Sequence, residues 1–73
     1  MSKAAVIGEV TRTEGFALAG AVVFTAENPD EVHAAWRSLP ADVAVLVITA
    51  RAAAELGDSL QSRPGMLLAV MPE

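Results

Sequence analysis

Two carboxylates, Glu9 and Glu14, follow a short apolar run that ends in Gly8. A pair of this kind can serve as general acid and general base. Nothing close to it in sequence offers a nucleophile or a stabiliser for developing charge. The spacing fits better with Glu14 as the acidic member of a capping box begun by Thr11, and Glu9 as a solvated loop charge. The single histidine, His33, has Pro29 and Arg37 at i±4, so no second metal-ligating side chain shares its helical face. Ser38 and Ser59 lack the G-x-S-x-G setting of a nucleophile elbow. Gly8 stands alone where a dinucleotide fingerprint needs G-x-G-x-x-G, and Glu9 would repel a pyrophosphate. There is no Walker A sequence, and with no cysteine neither a disulfide nor a thiolate zinc site can form. No catalytic residue, cofactor site or metal site is therefore expected.

These residues sit on a regular rhythm of elements. Ala4–Gly8 is a continuous apolar run, the pattern of a strand buried on both faces. Thr11 and Glu14 then predict a short helix through Phe16, Ala17, Leu18 and Ala19, stopped by Gly20. Ala21–Thr25 is rich in β-branched and aromatic residues and reads as a second strand. Asn28, Pro29, Asp30 and Glu31 are an N-cap, an N1 proline and two acids at the positive end of a helix dipole. Val32, Ala35, Trp36 and Leu39 then form one apolar stripe, which places Trp36 in the core and His33 toward solvent, and Pro40 closes the helix. Asp42–Ile48 is a third strand. Thr49 caps a third helix running from Ala50 to about Gln61, with Ala53, Leu56 and Leu60 inward and Gly57 weakening it by about 1 kcal/mol relative to alanine. Arg63-Pro64-Gly65 is a turn, Met66–Met71 a fourth strand, and Pro72 its end.

Strands alternating with helices imply parallel pairing through right-handed crossovers. The expected architecture is a single α/β domain over residues 1–73, with strand order 2-1-3-4, the beginning of a flavodoxin-like fold. Ligands in such folds bind beyond the strand carboxyl ends at the switch point, here Gly8, Glu9, Val10 and Thr49. A phosphoacceptor receiver domain would end its third strand in aspartate; this one ends Val47-Ile48-Thr49. The same topology puts one short helix on one face and two on the other. The sheet is then expected to be bare over strands 3 and 4, needing a further helix or a partner. Gly15 and Gly20 flank the first helix; they serve either turn and cap chemistry or the close approach of a partner.

Composition narrows the function classes. At 73 residues there is room for one domain, and 53% hydrophobic content is too apolar for a disordered chain. Only three residues are aromatic, so the core must be built from small aliphatic pieces. A net charge of −4, with five Lys and Arg scattered along the chain, gives no basic patch for nucleic acid. The apolar runs are too short for a signal peptide or a membrane span, so a cytoplasmic protein or one docked on a larger assembly is expected.

Five segments in order carry a family resemblance: Ala5-Val6-Ile7-Gly8-Glu9, Glu14-Gly15-Phe16-Ala17-Leu18-Ala19-Gly20-Ala21, Asn28-Pro29-Asp30-Glu31, Val45-Leu46-Val47-Ile48-Thr49 and Leu68-Ala69-Val70-Met71-Pro72. Together they resemble the F subunit of the V/A-type rotary ATPases, and the G-F-x-L-A-G piece is the most specific. The resemblance implies a non-catalytic central-stalk component of an ATP synthase or ion pump, cytoplasmic and peripheral to the membrane. Its chief partner would be the coiled-coil D subunit of the stalk, and nucleotides would be handled by other subunits. Gly15, Phe16, Leu18 and Gly20 are the expected partner surface, and self-association is expected of the isolated chain. The family pattern has aspartate where Glu9 stands and continues into a C-terminal helix beyond the final proline. The alternative reading is a free-standing flavodoxin-like domain that binds a small ligand or regulates.

Overall fold

The computed structural model describes residues 3–18 and 20–72, the side chains of Ala17 and Leu18 excepted. The elements run β1 Lys3–Gly8, α1 Val10–Leu18, β2 Val22–Thr25, α2 Pro29–Ser38, β3 Val43–Thr49, α3 Ala50–Leu56, a short 3₁₀ segment Gly57–Ser62, and β4 Leu67–Met71. The four strands form one sheet in the order β2-β1-β3-β4, every pairing parallel. This is the predicted architecture. Strand boundaries differ from the sequence expectation by a residue or so, the usual uncertainty at element ends.

Burial follows the alternation of strand side chains. Ala5, Ile7, Leu46 and Ile48 are fully buried and turn to one face. There they pack with Val32, Ala35 and Leu39 from α2 and its end, and with Ala52 and Leu56 of α3. Val6, one step out of phase, is also fully buried but points to the face that α1 covers. Nearly every one of these side chains is alanine, valine, leucine or isoleucine, so α2 and α3 can lie close on the sheet. Trp36 is half-buried against the edge of this core.

Three helix ends depart from, or sharpen, the sequence expectation. The capping box at Thr11 and Glu14 does not form: α1 already begins at Val10, and both residues lie inside it, exposed. The Val10 N–H donates instead to Glu27 Oε2 at 2.7 Å, a carboxylate supplied by the loop after β2. A tertiary neighbour has taken over the capping role, and the helix starts two residues earlier than the local motif would set it. Gly15 therefore does not flank α1 but sits within it. At α2 the expected cap is present: Asn28 Oδ1 accepts from the Glu31 N–H at 2.9 Å, while Glu31 Oε1 accepts from the Glu27 N–H at 2.7 Å. At α3, Thr49 Oγ1 accepts from the Ala52 N–H, as expected of its N-cap. That helix is shorter than predicted. It stops at Leu56 because Gly57 adopts φ 50° and ψ −124°, a conformation open chiefly to glycine, and the chain continues as a 3₁₀ turn.

Cover over the sheet is uneven. α1 packs on β1 and β2. β4 is exposed on both faces: Leu67 is 70% exposed on the α1 side, and Val70 50% on the other.

Candidate functional site

The switch point lies where β1 and β3 end side by side. Gly8 is buried there, and its lack of a side chain has a clear cause. A Cβ at Gly8 would run into the Thr49 Cγ2 methyl and would meet the Thr13 Cγ2 at 3.2 Å. Its φ is not positive, so the backbone would tolerate any residue; only the space is missing. Thr13 is completely buried, its hydroxyl donating to the Glu9 carbonyl at 3.1 Å, and Thr49 is 3% exposed. Two threonine methyls thus leave no room for a side chain at the last residue of β1.

Around this packed point, two shallow clefts flank the strand ends. One, of 270 Å³, is lined by Glu9, Glu27, Asn28, Arg51 and Glu55 among others. The other, of 190 Å³, is lined by Glu9, Arg12, Thr49, Ala50 and Arg51. Their charged groups are largely committed to structure. Glu27 caps α1, and Glu55 Oε2 meets His33 Nε2 at 3.2 Å, tying α3 to α2. That partnership joins residues 22 positions apart and left no sequence signal. Arg12 Nη1 donates to the Pro72 carbonyl at 3.0 Å, linking α1 to the chain just beyond β4. Glu14, by contrast, is exposed along α1, and Ser38 is exposed at the end of α2. Among the described residues no three His, Cys, Asp or Glu side chains gather as a metal site would require.

A larger groove, of 530 Å³, runs along the α1 face of the sheet and is mostly apolar. Phe16 and Gly20 line it together with Ala4, Val6 and Val47. Of the residues expected to form a partner surface, the fold thus brings Phe16 and Gly20 to one place. Gly15 is exposed elsewhere on α1, with open space around it. The Leu18 side chain lies outside the described residues. Gly20 has φ 89° and makes the turn out of α1, where the Ala21 N–H donates back to the Phe16 carbonyl at 3.3 Å.

The fold and this site define a class: a small parallel α/β domain with a tightly packed glycine at its switch point and an apolar flank. The model of the ATP synthase (F/14-kDa) subunit family matches residues 4–72, and the chain belongs to that family. Its fold is shared with the crystal structure of the F subunit of the V-type ATP synthase from Archaeoglobus fulgidus, with a TM-score of 0.73. The two are 19% identical, and the match covers 97% of this chain and 98% of that one. No curated protein matches in sequence. Among the described residues no helix is long and apolar enough to cross a membrane.

Proposed function

We propose that this chain is a non-catalytic central-stalk component of a V/A-type rotary ATP synthase or ion-pumping ATPase, where it helps couple ATP turnover to ion transport. Membership of the ATP synthase (F/14-kDa) subunit family carries this reading. The lack of a glycine-rich phosphate-cradling loop after β1 supports it. In this role the protein works on the cytoplasmic side, peripheral to the membrane, and holds the coiled-coil D subunit as its main partner. Of the expected surface Gly15, Phe16, Leu18 and Gly20, the part offered to it is the α1 flank where Phe16 and Gly20 line the apolar groove. A packed apolar groove suits a long helix, which can lay an apolar stripe along it.

The test is reconstitution. The chain mixed with the coiled-coil D subunit of the same complex should form a stable one-to-one species, and Phe16→Asp should abolish it while leaving the circular dichroism spectrum unchanged. ATP should bind the isolated chain no more tightly than millimolar. A micromolar affinity for ATP, abolished by changing Thr49, would overturn the stalk reading in favour of a ligand-binding domain.

A further inference from the structure

An edge strand exposes a row of unpaired N–H and C=O groups, and proteins that keep such an edge single usually blunt it with lysine, proline or a bulge. Among the described residues β4 is hydrogen-bonded to β3 alone, and it has none of these devices within Leu67–Met71. Its aliphatic side chains are exposed on both faces, Leu67 at 70%, Leu68 at 37% and Val70 at 50%. The segment Pro64–Pro72 also carries no charge, in a chain whose net charge is −4. Two copies repel one another as whole molecules, yet along this edge no like charges come face to face.

We propose that β4 pairs antiparallel with β4 of a second copy of this chain, joining two four-stranded sheets into one of eight. The antiparallel sense follows from symmetry. A parallel ladder offsets its hydrogen bonds and cannot map onto itself by a two-fold, whereas an antiparallel ladder can. With the axis at Ala69, Leu68 stands opposite Val70 of the second copy, and Leu67 opposite Met71. Every cross-strand pair is then apolar, the kind of pair that stabilises a sheet. The other edge is a poorer template. β2 is only four residues long, and its Val23 and Phe24 are half-buried.

This pairing is independent of the stalk reading, because it concerns the isolated chain and a different edge of the molecule. Sedimentation of the purified chain across a hundredfold range of concentration should show the mass doubling. Exchange of those amides within residues 67–71 that point away from β3 should slow tenfold once nine-tenths of the chains are paired, with the β2 amides unmoved. Leu67→Lys and Val70→Lys replace exposed side chains, so the fold should persist while the dimer is lost. Val22→Lys on the opposite edge should leave the dimer intact. A chain that stays monomeric throughout overturns the proposal. So does a dimer whose β4 amides remain unprotected, or one that survives both lysine variants. Protection of β4 seen only within the assembled ATPase would also overturn it, and would assign the edge to a different component of the complex.

Discussion

Gly8→Ala adds one methyl at the most crowded point of the molecule. Overpacking a close-fitted interior costs about 1–3 kcal/mol. Alanine also restricts the unfolded chain, which returns about 0.4–1 kcal/mol where the backbone accepts it, as at Gly8. The net range is about 0–2.6 kcal/mol, and the contact with the buried, β-branched Thr49 places the expected loss in its upper half. Relief by rotation is closed off. Thr49 is β-branched, and its hydroxyl is held as the α3 cap by the Ala52 N–H at 3.3 Å. Thr13 behind it is anchored by its own hydroxyl to the Glu9 carbonyl. The loss is a large share of the stability of a domain this size, which at about 0.05–0.15 kcal/mol per residue is itself modest. Urea unfolding measures it, as a shift of midpoint at constant slope. The cycle partner is Thr49→Ser, which removes the obstructing methyl and keeps the capping oxygen. In the Thr49→Ser background Gly8→Ala should cost less by about 1 kcal/mol or more, a coupling of the size expected between touching residues. If Gly8→Ala proves neutral, or its cost is the same in both backgrounds, the two threonine methyls do not crowd the end of β1 and this account of Gly8 fails.

Trp36→Ala should destabilise by about 2–3 kcal/mol, below the roughly 3–5 kcal/mol usual for a large aromatic, because the indole is only half-buried. His33→Ala should cost under about 1 kcal/mol, the worth of an exposed pair such as His33–Glu55; thermal melts that reversed this order would show the face of α2 to be misassigned. Asn28→Ala should cost about 1 kcal/mol through loss of the bond to the Glu31 N–H, read as a lowered denaturation midpoint. Gly57→Ala should destabilise by about 1–3 kcal/mol, because alanine is strained at φ 50°. An increase in melting temperature would instead mean that α3 can run on through this position as a regular helix.

That last prediction has the opposite sign from the one helix propensity alone supplies, and the reason marks the boundary between what local sequence encodes and what the fold decides. Element types and their order were legible because each rests on contacts within a few residues. The continuous apolar runs of β1 and β3, the Asn28-Pro29-Asp30-Glu31 start of α2 and the Thr49 cap of α3 are all local signals, and all appear where expected. Strand order came from the flavodoxin-like pattern of alternating elements, and the handedness of crossovers then set which face each helix covers. The family was legible too, since its motifs are short and lie in order along the chain. Local signals could not reveal contacts that depend on distant parts of the chain meeting. The cap on α1 comes from Glu27, 17 residues away, and not from the nearby Thr11 and Glu14 that carry the local motif. The clasp between His33 and Glu55 joins two helices that touch only because α2 and α3 share one face of the sheet. Gly8 looks in sequence like the end of any buried strand. Only the register that sets Val6 beside Val47 and Ile7 beside Ile48 brings the Thr49 methyl against it and leaves room for glycine alone.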